Sequence, residues 1–171
     1  MFALAARELE DSPSKDKAAT VIKGFLAKLR ERLPTAAEFA AAFAEVQFTE
    51  ENAKQRSLVR YLLSRIDRYQ RKHGAVDYDK MSIEHIAPVS PGGGSAALPN
   101  VGKVGNLILA PESLNAEVLG NKPFGKKKTA YKKAHLPLDE LLTSASPWGE
   151  ADIEARTAAL ATFVQDKVFR V

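Results

Sequence analysis

No cysteine occurs among the 171 residues, which excludes both a disulfide framework and a thiolate zinc site. Any metal held by this chain must therefore sit on oxygen or imidazole, a donor set that favours hard divalent ions such as magnesium. Long apolar runs are missing as well. No window approaches the roughly 20 continuous apolar residues of a membrane helix, and the opening "MFALAARELEDSP" turns acidic too early for a secretory signal. The reading is a soluble, cytoplasmic protein without a membrane partner. Internal repeats are absent, and low complexity is confined to the loop "PGGGS".

What is present suffices for a globular core: 45% of the residues are apolar. The net charge of +4 is mild, but its distribution is uneven. Residues 1–80 carry 15 basic and 12 acidic side chains, mixed as on solvated helix faces. From Asn121 to His135, "NKPFGKKKTAYKKAH" holds six lysines and no acid. Lys122, Lys126, Lys127, Lys128, Lys132 and Lys133, with Tyr131 among them, read as a surface that tracks DNA phosphates. The alternative is a solvated helix turn. Nothing in the run suggests a helix built to read base edges.

The first half has helical periodicity. "KDKAATVIKGFLAKLRERL" places Ala18, Val21, Ile22, Phe25, Leu26 and Leu29 on one stripe, opened by Ser14 and closed by Pro34. "TAAEFAAAFAEVQF" opens with the capping-box spacing of Thr35 and Glu38. A third helix is expected from Thr49 to Gly74, burying Leu58, Leu62, Ile66 and Tyr69, with His73 favourably placed near its C-terminal dipole. The chain begins abruptly in a helical pattern, as a piece of something longer would.

After Gly74 the pattern changes. "YDKMSIEHIAP" reads as a strand ending at Pro88, "VSPGGGSAALPNVGKVG" as a loop long enough to be functional, and "NLILA" as a buried strand. "PESLNAEVLGN" reads as a short helix between Pro111 and Gly120. In this order His85, Asn106 and Asn115 converge on one site. Hydrolysis of a phosphodiester suits them: a neutral imidazole takes a proton from water, with oxygen donors from Glu84 and Asn115 for a magnesium ion. His135 is expected at the surface. In the C-terminal segment Trp148 reads as a packing anchor, and Ile153, Leu160, Phe163, Val164 and Val168 as the buried face of a helix returning onto the N-terminal helices.

"IEHIAP", "GNLILA" and "LN" followed by "LGNKPFGKKKTAY" resemble the HNH nucleases of the ββα-metal, or His-Me finger, kind, and most closely the C-terminal nuclease domain of GmrSD-type restriction endonucleases. The resemblance covers residues 50–171, and more faintly the N-terminal helices. It implies His85 as general base, Glu84 and Asn115 as ligands of Mg2+ or Mn2+, and Asn106 as the brace of the loop that holds the histidine. Asparagine stands where many HNH enzymes have their final histidine, and Glu84 is one methylene longer than the frequent aspartate. The resemblance further implies a double-stranded DNA substrate, an antiphage module acting on modified DNA, and an N-terminal recognition and nucleotide-hydrolysing domain absent from this chain. The expected fold is α+β and mostly helical, a bundle with an inserted two-stranded ββα-metal motif: residues 1–75 a helical region, 76–171 the nuclease motif with helices packing back. Two other classes stay open, a DNA-binding module without catalysis and a helical interaction domain with a basic patch.

Overall fold

The computed structural model describes residues 2–71, 75–91 and 95–169. Its fold is α+β and mostly helical, with one two-stranded antiparallel sheet. No described helix is long and apolar enough to cross a membrane. The expectations for Gly74, His73 and the glycines at 92–94 lie outside the described residues.

Helices α1 (Phe2–Glu10) and α2 (Lys15–Arg30) form a hairpin, joined by an edge-on contact of Phe2 and Phe25 with centroids 5.0 Å apart. Ser14 caps α2 by accepting from the Lys17 N–H. The stripe of α2 is half-buried at Ala18, Val21, Phe25, Leu26 and Leu29 and does not enter the core. None of its residues is buried and Ile22 is 46% exposed, because the hairpin packs chiefly on itself. Helix α3 (Ala36–Ala44) starts with the Thr35–Glu38 capping box.

Helix α4 spans Arg56–Gln70, later than the expected start at Thr49, because Asn52 N–H folds back onto the Thr49 carbonyl and hydroxyl oxygens as a turn. Its buried side is Val59, Leu62, Leu63, Ile66 and Asp67. The expected face was therefore rotated: Leu58 and Tyr69 are 44% and 54% exposed, Tyr69 packing its ring at the rim against Phe163.

Strand β1 (Met81–His85) pairs with β2 (Leu107–Pro111) in the register Met81↔Pro111 to His85↔Leu107. Alternation sends Leu107 and Leu109 into one apolar cluster, with Phe43, Leu62, Ile66 and Leu160, and Ile108 and Ala110 into another, with Ile86, Tyr131, Trp148 and Ile153. Burial on both faces explains why "LILA" is continuously apolar. The first cluster draws on residues from Phe43 to Val164.

After β2, α5 (Glu112–Leu114) widens into a π-type turn over Asn115–Leu119 and closes at Gly120, whose φ of 45° suits glycine. Helices α6 (Phe124–Lys133), α7 (Glu140–Ser144) and α8 (Glu150–Phe163) complete the fold, α8 widening again over Val164–Val168. Ile153, Leu160 and Val164 are buried as expected, with Phe163 and Val168 half-buried. Helix α8 returns onto α3 and onto the turn Val104–Asn106. Gly105 lets it come that close, since a Cβ there would collide with Ile153 O and Thr157 Oγ1. Arg156 of α8 then donates to the carbonyls of Gly105 at 2.7 Å and Leu107 at 3.0 Å.

Candidate active site

The site forms where β1 ends. Successive strand residues leave on opposite faces, so Glu84 turns toward α6 and His85 toward the segment between α3 and α4. That segment is fixed by a bridge of Gln47 to Lys103 and by the Phe48 N–H donating to the Gly102 carbonyl at 2.8 Å. It presents the Phe48 carbonyl to His85 Nε2 at 2.9 Å. A carbonyl only accepts, so Nε2 carries the proton and Nδ1 keeps the lone pair in the neutral ring. Burial pushes the His85 pKa below its usual value and the Lys127 charge adds to this, whereas the Phe48 bond and Glu50 oppose it.

Asn106, fully buried, braces the loop after β1. Its oxygen accepts from the Ala87 N–H at 2.7 Å and from the Trp148 indole at 3.1 Å, and its nitrogen donates to the carbonyls of Val101 at 2.7 Å and Ala87 at 3.0 Å. Trp148 is thus a packing anchor and also a polar partner, a role the sequence reading missed.

Glu84, 4% exposed, has an unexpected neighbour. Lys127 Nζ lies 2.6 Å from its Oε1 and donates equally closely, at 2.6 Å, to the His85 carbonyl, while the Tyr131 hydroxyl donates to the same Oε1 at 3.2 Å. Burial raises the Glu84 pKa and Lys127 opposes that rise; burial and the nearby carboxylate push Tyr131 strongly upward. The expectation that Lys127 contacts DNA at the surface is overturned, because its side chain is 1% exposed and ion-paired. Tyr131 likewise belongs to the core. The sequence held a signal for both: Phe124, Lys127 and Tyr131 fall at i, i+3 and i+7, one helix face.

Asn115 spends its amide nitrogen on Ser82 Oγ at 3.0 Å and more loosely on the Ile83 carbonyl, and its oxygen is the acceptor end of the group. The remaining lysines divide. Lys128 donates to the Ala145 carbonyl and lies over the Phe124 ring, whereas Lys122, Lys126, Lys132 and Lys133 are exposed. His135 is exposed, as expected.

His85, Glu84, Asn115 and Lys127 line one cleft of 390 Å³, bounded across from β1 by Thr49, Glu50 and Glu51. Asn106 lies behind it and holds the loop. Among the described residues no group of three or more His, Asp and Glu is arranged so that it could hold a metal ion. Glu84 and Asn115, both in the cleft lining, carry oxygen donors that are hard and fit a magnesium-like ion in kind; two protein ligands is the number such an ion takes when waters and substrate phosphate complete its shell.

The site thus combines an antiparallel strand pair, the short helix after it and one oriented histidine, and comparison with family models gives the class. Residues 33–163 match the model for the C-terminal domain of GmrSD restriction endonucleases, and the chain belongs to that family. The match begins after α2, leaving the exposed α1–α2 hairpin outside it. No curated protein is found to match the chain.

Proposed function

We propose that this chain is a metal-dependent HNH endonuclease module that cuts DNA phosphodiester bonds within a cytoplasmic antiphage restriction system. It would form the C-terminal part of a larger, modification-dependent enzyme, with residues 76–171 as the catalytic region and 1–75 as its helical support. The observation that carries this reading is the bond of His85 Nε2 to the Phe48 carbonyl. With the proton on Nε2, Nδ1 is the basic nitrogen of a ring that lines the same cleft as the Glu84 carboxylate and the Asn115 amide. In this reading His85 Nδ1 takes the proton of the attacking water, Asn106 keeps the loop from shifting the ring, and Glu84 and Asn115 hold Mg2+ or Mn2+. A divalent ion bound there would supply charge stabilisation at the phosphate and leaving oxygen. Lys122, Lys126, Lys132 and Lys133 would carry the DNA backbone, with Lys128 at their border.

One observation favours a second reading, a DNA-binding module without catalysis: Lys127 already neutralises the carboxylate proposed for the metal. Supercoiled plasmid incubated with the chain, with and without magnesium or manganese, separates the two. Nicks that depend on metal support the nuclease, and binding without nicks supports the module.

A further inference from the structure

Of the six lysines between Asn121 and His135, only Lys127 is buried. Taking an ammonium out of water is costly unless its charge and N–H groups are satisfied, and here two short bonds do so: one to Glu84 Oε1 and one to the His85 carbonyl. The lysine therefore ties the carboxylate to the backbone of His85. It also lines the cleft, so its charge is felt where a metal would sit. A second cation brought to Glu84 contends with the first for one negative charge. The other carboxylates facing this space, Glu50 and Glu51, are exposed on the far rim, where water screens them.

Resting on the nuclease reading, we propose that Lys127 is a positioning residue that acts as a built-in counter-cation to Glu84. It keeps a divalent ion from binding the free chain tightly and admits the ion together with a DNA phosphate, whose negative charge offsets the additional cation. Metal occupancy is thereby made conditional on substrate.

The test is calorimetric titration of Mn2+ into the DNA-free chain at pH 8, with folding checked by near-ultraviolet circular dichroism. Lys127→Gln keeps a donor and removes the charge; Lys127→Met removes both. Either variant should bind Mn2+ about tenfold or more tightly than the parent, because a unit charge a few ångströms away has been removed. The gain should vanish when Glu84→Gln is added, and Tyr131→Phe, which removes a neutral donor, should not reproduce it. Equal affinity of parent and Lys127 variants overturns the proposal, as does a gain that survives Glu84→Gln or is matched by Tyr131→Phe. Should both lysine variants fail to fold, the His85→Ala chain is titrated with and without a short duplex. An approximately tenfold tightening over chain and duplex measured separately supports the proposal, and no tightening overturns it. These outcomes are independent of plasmid nicking, which tests the nuclease reading itself.

Discussion

His85 Nε2 and the carbonyl oxygen of Phe48 are 2.9 Å apart, and the two rings stack with centroids 6.0 Å apart. One backbone oxygen therefore fixes which nitrogen of the imidazole carries its proton, and the Phe48 ring limits how the imidazole turns. The ring is set by a segment nearly forty residues upstream in sequence, held in place by the bridge of Gln47 to Lys103.

A pH dependence follows. Burial favours the neutral ring, so His85 takes up its proton at a pH below the ordinary 6.5. The base form then persists to lower pH, and the acid limb of the single-turnover nicking rate should fall below 6.5. Stability follows the same sign: as pH drops past 6.5 the unfolded chain protonates first, so this group's contribution favours unfolding there. A half-maximal rate at or above 6.5 contradicts the burial assigned to the ring.

The two asparagines should fail differently. Asn106→Ala strips acceptors from the Ala87 N–H and Trp148 indole and a donor from two buried carbonyls. Each buried group left unsatisfied costs about 1–3 kcal/mol, so thermal melting should show a loss of several kcal/mol, and added manganese should not restore nicking. Asn115→Ala, at a half-buried position, should change melting little and regain part of its activity as manganese rises. Equal rescue of both variants by metal removes the distinction.

Four lysines, rather than the whole run, should govern salt dependence. Replacing Lys122, Lys126, Lys132 and Lys133 with glutamine removes exposed charges only. The log–log slope of duplex affinity against salt should flatten by roughly two to four units, at about 0.9 per phosphate contact. Fluorescence anisotropy across a salt series measures it. An unchanged slope would send the DNA path to Arg65 and Arg68 of α4.

Local signals accounted for much of this architecture. The caps at Ser14 and Thr35, the buried strand at "LILA" and the Pro111-to-Gly120 segment each depend on neighbours a few residues away, and each lies where the sequence placed it. The order strand, loop, strand, helix pointed to a convergence of His85, Asn106 and Asn115; His85 and Asn115 do line one cleft, with Glu84, whereas Asn106 is not in its lining and braces the loop instead. What escaped was long-range. Phe48 meets His85 through a carbonyl, which no side-chain pattern records. Lys127 is solvated by composition and buried by its partner 43 residues away. Helix α4 shows the same limit, because a face shifted by one residue is decided by what packs on it.

The most direct test of the account compares the parent chain with His85→Ala on supercoiled plasmid in manganese, with duplex affinity measured on the same preparations. Removal of a general base costs about a hundredfold to ten-thousandfold in rate. The account predicts a loss of that size with melting temperature and DNA affinity nearly unchanged. Nicking by the alanine variant at more than about a tenth of the parent rate, well above what loss of a base leaves, would contradict it.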